Sequence, residues 1–123
     1  MDDQKMLFLC YWELNENVPV IDHLKLGKML LESGLFPPTG IELIRFDMTP
    51  DYWGVTLFKA ESAEAAFSCI DLWRVAGTGV FKNVSVSPAM PVKDASALGA
   101  KLYQTVKEVE AQMKQKEMAD PST

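Results

Sequence analysis

Met6-Leu7-Phe8-Leu9-Cys10-Tyr11-Trp12 is an unbroken apolar run of strand length. A strand with one wet face alternates apolar and polar residues, so a continuous run suits a strand covered on both sides. It predicts β1 over residues 6–12. Side chains alternate along a strand, which sends Phe8 and Trp12 to one face and Leu7, Leu9 and Tyr11 to the other. Both faces of the sheet that contains β1 therefore need apolar cover.

Outward from this run, Asn15-Glu16-Asn17 is rich in turn formers, and Pro19 to about Ser33 predicts a helix, α1. Val20, Leu24, Gly27 and Leu31 share one stripe of it, with Asp22, Lys25, Lys28 and Glu32 mostly opposite. Pro19 suits the start and Gly34 the stop. Phe36-Pro37-Pro38-Thr39-Gly40 cannot continue a helix, and Ile41 to Thr49 reads as β2, carrying Leu43, Ile44, Phe46 and Met48. Thr49-Pro50-Asp51-Tyr52 forms a tight turn into β3, Trp53 to Ala60, which predicts an antiparallel hairpin. Ser62 is an N-cap and Glu64 an acidic first-turn residue for α2, whose contact face is Ala65, Ala66, Cys69, Leu72, Trp73 and Ala76. Those residues are mostly small, so α2 should lie close to the sheet. Gly77-Thr78-Gly79 ends it, and Val80 to Ser87 gives β4. After Pro88-Ala89-Met90-Pro91, residues 94–118 predict a long amphipathic helix, α3, with Leu98, Leu102, Val106, Val109 and Met113 at 4-4-3-4 spacing.

The order β-α-β-β-α-β is that of the α+β ferredoxin-like sandwich, with both helices on one face of an antiparallel sheet and an extra C-terminal helix. The expected organisation is a domain over 1–92, a helix over 93–118 that packs on the domain or on a partner subunit, and a disordered tail over 119–123. A chain of 123 residues with 48% hydrophobic content builds one such core. A net charge of -5 argues against nucleic acid as a partner. The acidic start Met1-Asp2-Asp3 and the lack of a long apolar run argue against a secretory leader and a membrane span, so the expected location is the cytoplasm. Two cysteines without a CxxC pair and one histidine argue against a metal site or a disulfide framework, and Cys10 and Cys69 read as buried apolar residues. No cofactor is expected.

Two helices cover one sheet face, whereas strands β1, β2 and β3 all carry large apolar residues on both. A second copy meeting sheet to sheet would cover the other; α3 folding back over it is the alternative. At this point the chain resembles the dimeric α/β-barrel superfamily and, within it, a group of small proteins of unknown function. The resemblance rests on Met6 to Trp12, on Ile41-Glu42-Leu43-Ile44-Arg45-Phe46 after a Pro-Gly loop, on Ser62-Ala63-Glu64-Ala65-Ala66, on Trp73 and on Val86-Ser87-Pro88, spanning about residues 6–92. It implies a homodimer or higher homo-oligomer. Superfamily members include cofactor-free monooxygenases, muconolactone-isomerase-like enzymes and haem-binding dismutases. Where the small group shows an Arg-Trp-His-like strand end, this chain has Arg45-Phe46-Asp47.

His23, the sole imidazole, falls with Leu26, Gly27 and Leu30 toward the apolar side of α1, as a candidate general base or haem ligand. A core histidine with one satisfied nitrogen is the plainer reading. Trp73 on the inner face of α2 is a pocket wall or plain core. Tyr11, Trp12 and Trp53 offer flat walls with polar tips, for a ligand or for a dimer core. Arg45, a charge inside an apolar strand, either pairs with Asp47 or Glu13 or meets an anionic ligand. Two functions follow. One is a homodimeric barrel whose cavity binds a small apolar or aromatic molecule, with cofactor-free monooxygenase or isomerase chemistry. The other is a non-catalytic assembly or regulatory module that uses α3.

Overall fold

The computed structural model describes residues 5–119. Its elements are β1 (Met6–Leu14), α1 (Val20–Glu32), β2 (Ile41–Met48), β3 (Trp53–Ala60), α2 (Ala63–Ala76), β4 (Phe81–Pro88) and α3 (Val92–Ala119). Of the tail expected over 119–123, Ala119 closes α3 and residues 120–123 lie outside the described residues. The described residues through Ala89 form one compact unit and those from Met90 onward a second.

In the first unit the sheet order is β2-β3-β1-β4 and every neighbouring pair is antiparallel. β1 is central, and Tyr11 stands opposite both Val55 and Ser85. This is the ferredoxin-like arrangement that the element order predicts. The hairpin turn closes through Tyr52 N–H donating to Thr49 O at 3.1 Å, and Tyr52 takes a positive φ of 62°. Side chains rarely adopt that conformation away from glycine and asparagine.

The face under the helices holds Cys10 and Trp12 of β1 and Thr56, Phe58 and Ala60 of β3, all buried. Above them α2 contributes Ala65, Ala66, Cys69 and Ile70. Ser62 caps that helix by accepting from Ala65 N–H at 3.1 Å. Two helical faces differ from the predicted stripes. Ile70 takes the buried place expected of Ala76, which is exposed. In α1 the buried position is Leu30, with Leu26 and His23 half-buried beside it, while Val20, Leu24 and Leu31 stay about half exposed.

Inside this layer Trp12 Nε1–H donates to Thr56 Oγ1 at 3.0 Å, which satisfies the buried indole donor. The Trp12 ring lies over Gly54, where a Cβ would collide with both the ring and the Asp47 carbonyl oxygen. Glycine is thus required by close approach.

The opposite sheet face carries Leu7, Leu9 and Tyr11 of β1 against Lys59, Leu57 and Val55 of β3, with Trp53 beside Glu13. Leu9 and Tyr11 are 45% and 39% exposed, so the central strands carry the uncovered apolar surface that the opening run predicts. β2 does not share it. A bulge between Leu43 and Arg45 turns Leu43 and Phe46 toward the helices and leaves Glu42, Arg45 and Asp47 on the open side, so the expectation of a second apolar face fails for this edge strand.

Replacing Thr56 by valine removes the acceptor and strands the buried indole donor. Thr56→Val should lower stability by about 1–3 kcal/mol in urea unfolding, whereas an unchanged midpoint would mean the bond contributes nothing.

Candidate functional site

α2 meets the sheet through Ala65, Ala66 and Cys69 in its first half and carries Trp73 on the same side further along. The Trp73 ring stands edge-on to Phe36 at 5.2 Å and to Phe46 at 5.9 Å, and Phe46 meets Trp12 at 6.0 Å. Small residues at one end and a ring cluster at the other keep the layers from closing evenly. The gap between them is a cavity of about 340 Å3, walled by Trp12, Phe36, Phe46, Ile70 and Trp73. Half-exposed Val20, Leu24, Leu31, Met48 and Tyr52 also border it, so its mouth opens between α1 and the β2–β3 turn. This volume lies within the range of small-molecule pockets, and a mostly apolar wall with few polar groups is their usual composition.

Gly27 borders the same space. Glycine inside a helix costs about 1 kcal/mol relative to alanine, yet a Cβ at Gly27 would meet nothing within 4 Å. No packing contact accounts for its small size, and the space beside it is open.

His23 is fixed from the loop before α1. Asn15 N–H donates to Val80 O at 2.9 Å and Asn15 Nδ2 donates to Gly79 O at 3.0 Å, tying the end of β1 to the start of β4. The Asn15 carbonyl accepts from Val18 N–H at 3.1 Å and lies 2.9 Å from His23 Nε2. A carbonyl oxygen only accepts, so Nε2 carries a proton, and the tautomer this selects for a neutral ring has its lone pair on Nδ1. Nδ1 is buried and has no hydrogen-bond partner. A second polar group, the Thr56 hydroxyl, accepts from Trp12 and retains its own proton for donation.

The seven residues singled out from the sequence divide between the two sheet faces. His23 and Trp73 border the cavity; Asp47 touches its rim, but its carboxylate pairs with Arg45 on the open face. Tyr11, Glu13, Arg45 and Trp53 belong to the open face, where Tyr11 O–H donates to Glu13 at 2.7 Å and Asn83 Nδ2 donates to Glu13 at 3.2 Å. The Tyr11 hydrogen bond, followed by that from Asn83, holds the Glu13 carboxyl below its ordinary range; the same bond to Glu13 holds the Tyr11 phenol above its own. Arg45 Nε pairs with Asp47 Oδ2 at 2.8 Å, both side chains being half exposed or more. Phe36, Phe46, Thr56 and Tyr52 join the cavity without having been singled out. An isolated glycine inside a helical pattern was the available signal for Gly27.

Among the described residues no group of three histidine, cysteine or acidic side chains could hold a metal ion, and no helix is long and apolar enough to cross a membrane.

The fold is shared with a solved protein. The crystal structure of a provisionally assigned antibiotic biosynthesis monooxygenase from Bacteroides thetaiotaomicron superposes with a TM-score of 0.55 over 74% of this chain and 92% of that one, at 11% identity. The likeness is one of fold, the ferredoxin-like α+β arrangement that the element order predicts. No family model matches the chain. No curated protein matches it either.

Cys69 borders the cavity yet is fully buried, as is Cys10 below it. Burial pushes the Cys69 thiol up to about 12 and the Cys10 thiol up to about 11. Both should resist iodoacetamide at pH 8 in the folded chain and react once it is unfolded; fast labelling of the native protein would contradict their burial. The folded state favours the protonated thiols, so this contribution to stability is full below about pH 8.5. It should be lost as the pH rises toward 11 and 12.

Proposed function

We propose that the cavity between the sheet and helices α1 and α2 binds a small, largely apolar or aromatic molecule, and that His23 accepts a proton from it. The observation that carries this reading is the buried, unpartnered Nδ1 of a histidine bordering a 340 Å3 apolar cavity. Leaving a polar atom buried and unpaired is costly, and such atoms in native proteins call for a reason. A ligand O–H or acidic C–H supplies one. The flat walls of Trp12, Phe46 and Trp73 favour a planar body, and the Thr56 hydroxyl can donate to a ligand oxygen.

Removal of a proton by a neutral imidazole leaves a delocalised anion on the ligand and an imidazolium held by the Asn15 carbonyl. Return of that proton to a different ligand atom is an isomerisation. Reaction of the anion with dioxygen is the first step of a cofactor-free monooxygenation; the structural neighbour is named as a monooxygenase. Both begin with the same base.

The protein works, on this reading, in the cytoplasm as a homodimer whose open sheet faces meet. Leu7, Leu9, Tyr11, Val55, Leu57 and Trp53 form the apolar centre there, and burying such surface contributes roughly 25 cal/mol per Å2. The Arg45–Asp47 and Tyr11–Glu13–Asn83 groups lie on that same face beside the apolar centre.

Binding is tested with 1-naphthol and indole, followed by quenching of tryptophan fluorescence. Saturable quenching is expected, abolished in Gly27→Phe, which fills the open space while gaining helix propensity. His23→Gln should retain binding within a few-fold and lose any proton-transfer activity. Equal quenching in Gly27→Phe, or none in the native chain, would remove the cavity reading.

A further inference from the structure

We propose that α3 is a self-pairing surface through which two copies of this chain join as an antiparallel helix pair. The apolar residues Leu98, Leu102, Val106, Val109 and Met113 are 46%, 55%, 54%, 47% and 63% exposed, and none of the helix's 28 residues is buried. Their spacing repeats every eleven residues, Leu98 to Val109 and Leu102 to Met113. An eleven-residue repeat gives close to 3.67 residues per turn, near that of a straight helix, so the stripe keeps to one side with little drift. A helix of this kind draws its stability from packing its apolar side on a partner.

Charge selects the partner and its direction. At 3.6 residues per turn, Lys101 and Glu108 lie seven residues apart on one flank of the stripe, and Tyr103 and Glu110 lie on the other. The second flank is settled within its own helix: Lys107 Nζ is 3.7 Å from Glu110 Oε1 and 5.4 Å from the centre of the Tyr103 ring. The first is not, for neither Lys101 nor Glu108 has an ion pair among the described residues. In an antiparallel pair of identical helices each flank meets its own counterpart, so Lys101 of one copy faces Glu108 of the other, twice over. A parallel pair sets one flank against the other and brings Glu108 toward a second copy's Glu110, a like-charge contact. An antiparallel register one residue from this puts Ala95 opposite Met113 and Leu102 opposite Val106, so small meets large and the two stripes overlap along their length. The two-fold axis passes near Thr105. This pairing is independent of the cavity and of the open sheet face.

Single-cysteine crosslinking of the full chain tests it, since the native cysteines are fully buried. Under copper-phenanthroline oxidation, Thr105→Cys, beside the axis, should give a covalent dimer, and Met113→Cys, far from it, should not. Adding Lys101→Glu should cut the Thr105→Cys crosslink rate roughly tenfold, and adding Glu108→Lys to that variant should restore it. Crosslinking through Met113→Cys as well would establish a parallel pair and overturn the proposal. So would the absence of crosslinks at both positions, or a charge swap that fails to restore the rate.

Discussion

A strand that is apolar on both sides is the constraint from which the rest of this molecule follows. β1 sits in the middle of the sheet, with Cys10 and Trp12 sealed under the helices and Leu9 and Tyr11 on the other side. Two crossover helices can serve only one of those faces, which leaves the second to another surface. The edge strands confirm the division. β2 turns charged side chains outward past its bulge, and β4 presents Asn83, Ser85 and Ser87 opposite Glu13, Tyr11 and Leu9. On the open sheet face the apolar centre thus lies on the two central strands.

On the covered side, the sizes of residues along α2 set where the protein is solid and where it is hollow. Ala65, Ala66 and Cys69 let the helix approach β3, where Phe58 is fully buried. Beyond them the edge-on rings of Trp73, Phe36 and Phe46 hold helix and strands apart. Aromatic pairs prefer such edge-on and tilted arrangements, which fill space less evenly than interleaved aliphatic chains. The resulting cavity persists because its walls are anchored elsewhere: Trp12 by its bond to Thr56 and its seat on Gly54, and His23 by the Asn15 loop.

Much of the fold was legible in the sequence. Run lengths, the proline and glycine punctuation and the Ser62 cap place all seven elements within a few residues, because each is determined locally. The faces were harder to read. In α1 the apolar residues spread over more than half the circumference, so periodicity alone could not tell the buried Leu30 side from the Val20, Leu24 and Leu31 side at the cavity mouth. In β2 one bulge at Ile44 reversed the facing of everything after it, a shift that no alternation pattern announces. The candidate residues were chosen for chemistry without a register, and they separate accordingly: His23 and Trp73 at the cavity, Tyr11, Glu13 and Trp53 on the other side of the sheet. Asn15 and Gly27 matter through position, one by anchoring the imidazole and the other by leaving room, and neither role shows in residue type.

The most direct measurement is native mass spectrometry of the chain and of Gly27→Phe, each purified gently from the protein's own host. A small organic molecule retained by the native subunit and missing from the variant is the predicted result. If both chains have identical bound mass, whether bare or loaded alike, the cavity is not a binding site.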